Sequence, residues 1–332
     1  MKGACTAIVG ATGAVGRELL AVLEQRQFPL RELRLFASPR SAGTRLSFRG
    51  EALPVQPLHE RAFDGVELAL FSAGGQLSLE WAKHATAAGA VVVDNSSAFR
   101  SDPDVPLVVP EVNAAALRGH RGIVANPNCS TILLALALWP LHQAAGLRAV
   151  IVSTYQAASG AGQQAMVELR QGHAALLAGT APAPSRALPQ QLAGNVFPQV
   201  DRFQPDGYTR EEDKLLHELR RILGLPELLV EATCVRVPVE RCHSESVSCQ
   251  FLRPLAVEAA RRLLAQAAGI EVLDDPARAV YPMPLLSSGR DAVAVGRLRR
   301  SRVCDTGLAF WLVGDQLRKG AALNAVQIAE LL

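Results

Sequence analysis

The sequence is poor in features that would assign its class directly. It has no Cys-x-x-Cys pair; its six cysteines stand apart at positions 5, 129, 234, 242, 249 and 304. That pattern predicts reduced thiols and a cytoplasmic protein. Cys242, His243 and Cys249 lie close together, but their spacing fits no common zinc module, so no metal is expected. Net charge is small, formally +3 at pH 7, which argues against nucleic acid and membrane surfaces as partners and leaves acidic small molecules to a few local cations. The N-terminus, Met1-Lys2-Gly3-Ala4-Cys5-Thr6, lacks the apolar core of a signal peptide and runs into a strand pattern. The apolar run that follows Cys129 is too short to span a bilayer.

What is present suffices for sizeable cores: 332 residues, 49% of them hydrophobic, predict two domains. The chain centres on Asn126-Pro127-Asn128-Cys129-Ser130-Thr131. A Pro-Asn turn delivers one cysteine to an apolar run, Ile132 to Trp139, that reads as a helix with Cys129 at or beside its N-cap. The helix dipole and the unpaired N–H groups of the first turn favour thiolate, the nucleophilic form. Those N–H groups also suit an oxyanion on a carbonyl that the sulfur attacks. A small buried hydrophobe is the competing reading of Cys129.

Upstream, Thr6 to Val9 reads as a strand, Gly10-Ala11-Thr12-Gly13-Ala14-Val15-Gly16 as a glycine turn, and Arg17 to Gln25 as a helix. This is the context of a dinucleotide fingerprint: Gly10 for the tight turn, Gly13 for backbone approach to a pyrophosphate, Gly16 for helix–strand packing. The next strand, Leu33 to Ala37, ends in Ser38-Pro39-Arg40-Ser41, with no acid for a ribose 2′-hydroxyl. Arg40, flanked by Ser38 and Ser41, instead offers a cation and hydroxyls for a 2′-phosphate, pointing to NADP. Strands at Val66 to Phe71 and Ala90 to Val93, with a helix from Leu77 to Ala88 between them, complete an open parallel sheet with helices on both faces. The polar segment after the last of these strands ends in Arg100, a candidate anion ligand.

In the second half, Ala149 to Thr154 reads as a strand leading into Gln156, suited to orienting a substrate amide or carboxylate, and into Ser159-Gly160, a helix start where backbone approaches a nicotinamide. Gly179 to Pro189 reads as an irregular loop. Thr209 and Glu212 form a capping box for a helix that runs to Leu223 and stops at Gly224. Lys214 at the start of that helix gains nothing from the dipole, which favours a phosphate-binding role. Ala232 to Val239 reads as a strand with 234, 236 and 238 on one face; Arg236 then offers a cation for a substrate carboxylate, and His243 an imidazole for proton transfer. A last strand, Leu308 to Val313, precedes a polar turn containing Gln316 and a helix that returns to the first domain.

These segments together resemble the aspartate-β-semialdehyde dehydrogenase family over almost the whole chain. The resemblance rests on the glycine turn, Asn95-Ser96-Ser97-Ala98-Phe99-Arg100, the Cys129 hexapeptide, Tyr155 to Gly162, Arg236 to Ser244, and Gln316 to Ala322. It implies an α/β fold: a Rossmann-type parallel-sheet NADP domain, residues 1–127 with about 314–332 packing back, plus an α+β catalytic and dimerisation domain, 128–313. It implies reversible, NADP-linked reductive dephosphorylation of L-aspartyl-4-phosphate to aspartate-4-semialdehyde, on the way to lysine, methionine and threonine. In that reading Cys129 forms an acyl-thioester and His243 is the acid/base. Gln156 and Arg236 hold the substrate, Glu211 meets its amine, and Arg100, Lys214 and Asn128 complete the substrate and phosphate site. Gly10, Thr12, Gly13, Ala14, Val15, Ser38, Arg40, Ser41, Ser159, Gly160 and Gln316 line the cofactor site. Asp213 and His217, beside Lys214, depart from the family pattern. The family forms homodimers, some paired into tetramers. Two alternatives stay open at this level: a sister reductase acting on N-acetylglutamyl phosphate, and a non-catalytic relative that binds NADP.

Overall fold

The chain alternates strands and helices through its first 125 residues because short apolar runs, buried on both faces, alternate with amphipathic stretches. The computed structural model describes residues 3–332; Met1 and Lys2, part of the N-terminal reading above, lie outside the described residues. The elements are β1 (Ala4–Val9), α1 (Ala14–Gln25), β2 (Leu30–Ala37), β3 (Arg45–Phe48), β4 (Glu51–Pro57), β5 (Leu68–Phe71), α2 (Gly75–Ala87), β6 (Val91–Asp94), α3 (Pro110–Asn113) and β7 (Ile123–Ala125). They form a seven-stranded sheet of order β3-β4-β2-β1-β5-β6-β7, parallel except at the β3–β4 hairpin. That hairpin is absent from the sequence reading. Its turn is Arg49-Gly50, with φ of 49° and 80°, the left-handed pair that a two-residue hairpin requires.

The second half contains α4 (Cys129–Ala145), β8 (Leu147–Gln156), α5 (Gln163–Leu177), α6 (Arg210–Leu223), β9 (Leu229–Arg236), β10 (His243–Phe251), α7 (Val257–Gln266), β11 (Ile270–Val272), α8 (Pro284–Ser287), β12 (Val293–Arg300) and β13 (Gly307–Gly314), before α9 (Leu323–Leu331) ends the chain. Its sheet is mixed, in the order β11-β12-β13-β10-β8-β9. Helix α4 is apolar on all sides and buried along most of its length, as a helix without a polar face must be. Strand β9 ends at Arg236 rather than Val239, because Pro238 offers no N–H to a ladder. Likewise Ser159 and Gly160 lie in a short 3-10 turn, Ala158–Ala161, and the α-helix itself starts at Gln163.

The chain divides into two compact units. One runs to Asn128 and takes in Ala321–Leu332; the other is Cys129–Gly320. The expected return at residue 314 therefore falls later: Asp315 to Gly320 belong to the second unit. In the first unit, α9 contributes Leu323, Val326 and Ile328 to the core beneath β1, β2 and α1. Among the described residues no helix is long and apolar enough to cross a membrane.

Candidate active site

In the first unit the three glycines are where packing demands them. Gly10 has φ of 90°, and a Cβ there would lie 2.3 Å from the carbonyl oxygen of Ser72. A Cβ on Gly16 would lie 2.2 Å from the carbonyl oxygen of Gly10. Gly13 is the N-cap of α1; no side chain caps that end and no acid stands in its first turn, so the dipole favours an anion beside Ala14 and Val15. Thr12 Oγ1 donates to Ser41 Oγ at 3.3 Å, which joins the glycine turn to the end of β2. Ser38 and Arg40 are exposed on the same turn.

Beyond β6, a ladder of amides ties the segment that ends at Asn128 to α9. Asn324 Nδ2 donates to Asn126 Oδ1 (2.7 Å), and Asn126 Nδ2 to Asn95 Oδ1 (2.6 Å). Arg100 spans the same backbone, with Nε on the Asn126 carbonyl (2.9 Å) and Nη2 on that of Asn95 (2.7 Å). Asp94 accepts from Ser78 and Ser96, yet burial raises its carboxyl above the usual range. Asn128, buried, ends the first of this unit's two segments.

Cys129 opens the second unit as the first residue of α4, partly exposed. Strands β8 and β9 run parallel and end side by side at Gln156 and Arg236. Strand β10 is antiparallel to β8 with Ser244 opposite Tyr155, so one more step brings His243 alongside Gln156. Three predicted residues thus share one row at one sheet edge. The row faces α4 and α6: a Cβ on Gly314, opposite His243, would strike Leu133 of α4, and Gln156 Nε2 donates to Glu211 of α6 at 3.1 Å.

One residue's backbone orients two of these side chains. The Ala157 N–H donates to His243 Nδ1 (3.1 Å), and the Ala157 carbonyl accepts from Arg236 Nη1 (2.6 Å). With Nδ1 accepting, the neutral imidazole carries its proton on Nε2. That Nε2 and the Nε of Arg236 are buried with no partner among the described residues. Burial, first, and the Arg236 cation push His243 down to about 3, against smaller pulls from Glu211 and the Cys242 carbonyl. Burial also lowers Arg236, while Glu211 and the Cys129 sulfur act to hold its charge.

Helix α6 presents Glu211 and Lys214 because its capping box forms as predicted. Thr209 accepts from the Glu212 N–H, and the Glu212 carboxylate accepts from the N–H groups of Thr209 (2.6 Å) and Cys234 (2.8 Å), tying α6 to β9. Lys214 Nζ bridges Glu211 and Asp201, at 2.9 Å each. Burial acts to lower Lys214, but those two acids prevail and raise it. Gln316 Oε1 accepts from the Cys242 N–H (2.9 Å), and its Nε2 donates to Ser159 Oγ, so two expected cofactor residues are bonded to each other.

The other thiols near this sheet are poor nucleophiles. Burial raises Cys234 and Cys242, and pushes Cys249 up to about 12. Sequence reasoning missed Asp201, Gly320 and Asp315. A Cβ on Gly320 would sit 3.1 Å from that of Cys129, so glycine is what lets this turn lie on Cys129. Asp201 stands in an irregular segment, and only its left-handed φ of 67° marks it, which no sequence pattern reveals.

The chain is similar to known proteins over almost its whole length. Residues 6–120 match the family model described as semialdehyde dehydrogenase, NAD binding domain, and residues 138–319 match semialdehyde dehydrogenase, dimerisation domain. The aspartate-semialdehyde dehydrogenase of Synechocystis is 52% identical over 326 residues, covering 98% of this chain and 96% of the relative. The solved structure of Vibrio cholerae aspartate semialdehyde dehydrogenase II complexed with ASA superposes with a TM-score of 0.97 at 46% identity, covering 100% of this chain and 98% of that one. That of the Candida albicans enzyme with NADP does so at 0.77 and 26% identity, covering 99% and 98%. The first unit is thus a nicotinamide-cofactor domain and the second carries the dimerisation domain; the chain belongs to the aspartate-semialdehyde dehydrogenase family.

Proposed function

We propose that the protein interconverts L-aspartyl-4-phosphate and L-aspartate-4-semialdehyde with NADP, through an acyl-thioester on Cys129. The observation that carries this reading is the row of Gln156, Arg236 and His243 in the unit that Cys129 opens, with His243 Nε2 and Arg236 Nε buried and unpartnered. Buried donors without acceptors are costly unless a ligand completes them. An anionic, carbonyl-bearing substrate does so.

In the reductive direction, Cys129 sulfur bonds the acyl carbon as the carbon–oxygen bond to phosphate breaks, and phosphate leaves with that electron pair. Bound NADPH would supply the hydride to the thioester carbon. As acid/base, His243 shares its Nε2 proton with the oxygen of the resulting tetrahedral adduct through a hydrogen bond and keeps it, since a neutral imidazole that gave it up would be left as an imidazolate. Collapse of the adduct breaks the carbon–sulfur bond and releases aldehyde and thiolate. Arg236 pairs with the substrate α-carboxylate, Gln156 orients it, and Glu211 takes its ammonium. Lys214, Arg100 and Asn128 are assigned to phosphate. Lys214 already meets two carboxylates, so phosphate must compete with Asp201 and Glu211 for it.

The glycine packing of the first unit fits a dinucleotide, and the acid-free set Thr12, Ser38, Arg40 and Ser41 supports NADP over NAD, since a 2′-phosphate needs cations and hydroxyls and would be repelled by an acid. Ser159, Gly160 and Gln316 are assigned to the nicotinamide end. The homodimer reading is supported by the sheet face opposite His243, which leaves Ile151 57% exposed and Tyr155 packed on Trp311 with ring centroids 5.2 Å apart.

The test is NADPH formation with aspartate semialdehyde and phosphate, omitting each component in turn. Phosphate-dependent NADP reduction is expected. Activity with N-acetylglutamate semialdehyde in its place would assign the chain to the sister reductase, and silence with both in a folded, NADP-binding protein would make it non-catalytic.

A further inference from the structure

We propose that Asp315 is a positioning residue that sets the approach of His243 to Cys129. The inference rests on reading those two residues as acid/base and nucleophile.

Asp315 follows directly on β13, whose last residue, Gly314, pairs with His243. It is fully buried, and two of its three carboxylate bonds run to the segments that lead to His243 and to Gly320. Oδ2 accepts from Arg241 Nε at 2.6 Å and from the Gly289 N–H at 2.7 Å; Oδ1 accepts from the Leu317 N–H at 3.0 Å. Its carbonyl accepts from the N–H groups of Arg318 (3.0 Å) and Gly320 (3.2 Å), which curls the chain into the turn that lays Gly320 on Cys129. The next residue, Gln316, holds the Cys242 N–H.

The consequence lies in the backbone between Arg241 and His243. Cys242 has φ of 77°, a conformation that a non-glycine residue adopts only under constraint. Three bonds supply the constraint. Asp315 holds Arg241 on one side, Ala157 holds the His243 ring on the other, and Gln316 holds the N–H between them. A charge-assisted bond to a buried carboxylate is the strongest of the three. One short turn therefore bears on both reacting residues: Gly320 against the nucleophile, and Asp315 on the strained step that aims the imidazole. Without the Asp315 charge, Cys242 is free to relax toward negative φ and turn His243 away, an error of a size that orientation-dependent steps do not tolerate.

A double-mutant cycle tests this. Asp315→Asn keeps the shape and removes the charge. It is expected to fold and bind NADPH, to lose about 30-fold in kcat, and to change KM for aspartate semialdehyde by less than about threefold. In a Cys242→Gly background, where glycine adopts the same φ unaided, Asp315→Asn is expected to cost less than about fivefold. Equal losses in the two backgrounds, or a kcat within about twofold of wild type for Asp315→Asn alone, would overturn the proposal. If Asp315→Asn does not fold, Arg241→Gln removes the same ion pair from its partly exposed side and is read by the same comparison. If the wild-type chain shows no phosphate-dependent NADP reduction, the functional reading fails separately. The clamp is then read from the rate at which iodoacetamide alkylates Cys129, which Asp315→Asn should shift by at least about threefold; an unchanged rate overturns it.

Discussion

Gly160 lies against His243: a Cβ at Gly160 would stand 2.9 Å from both Nε2 and Cε1 of the imidazole, and 3.0 Å from Nη1 of Arg236. Neither side chain can yield without breaking its bond to Ala157. Gly160→Ala should therefore lower kcat by about one to two orders of magnitude, because the displaced groups are those proposed to meet the substrate. Steady-state kinetics on a variant that melts near the wild-type temperature would show it. A kcat within twofold of wild type would mean that the ring has room the structure does not show.

Cys129→Ala should abolish turnover and leave NADP binding nearly intact, since the glycine turn and Arg40 belong to the other unit. Of the thiols around this sheet, Cys234, Cys242 and Cys249 are all raised by burial, so none substitutes as nucleophile. Fluorescence titration with NADPH beside an activity assay checks both halves; residual turnover near wild type would require a different nucleophile.

Arg40→Ala should weaken NADP far more than NAD. Arg40 is exposed beside Ser38 and Ser41, with no acid in that turn, so its removal takes away the cation and adds nothing for a 2′-hydroxyl. The measurement is the ratio of kcat/KM for the two cofactors. Equal losses for both would sink the 2′-phosphate assignment.

Glu245 gives a pH signature. It is fully buried on β10, opposite Thr154 and Leu312, and both carboxylate oxygens lack a partner among the described residues. Burial raises it well above its ordinary 4.5. The folded state thus keeps a proton that the unfolded chain releases above 4.5. The stability this contributes is full below 4.5 and is lost as pH rises toward the folded value. Glu245→Gln removes that loss, so the melting temperature of the variant minus that of wild type should grow as pH is raised from 4 to 8. A difference independent of pH would place Glu245 in contact with a cation. His243 acts in the other window: lowered to about 3, it contributes stability above 6.5 that is lost as pH falls toward 3.

The candidate site was legible in the sequence to the extent that each residue sits at the end of a local pattern. Cys129 opens a helix, Glu211 and Lys214 lie in the first turns after an N-cap, and Gln156 and Arg236 lie in or beside strand patterns, all readable from short windows, although that both close their strands was not. The β3–β4 hairpin was not legible, because β3 has only 4 residues and Pro54 interrupts β4. Asp201 and Asp315 were not legible either. An acid in a loop acquires meaning only from the cation it meets, Lys214 for one and Arg241 for the other, and those partners lie 13 and 74 residues away in the chain.

The sequence by itself determined the inventory. Hydrophobic period and glycine spacing specify the strand–turn–helix of the nucleotide unit, and residue chemistry specifies a thiol, an imidazole and a guanidinium for the other. Those are properties of neighbouring residues, and steric and solvation forces act on them locally. Only the tertiary structure decided how they work together. Strand register sets Gln156 between Arg236 and His243, the Ala157 peptide fixes the imidazole tautomer, and burial strips His243 of its charge. Register and desolvation depend on segments far apart in the chain packing against one another, and no window of sequence contains that.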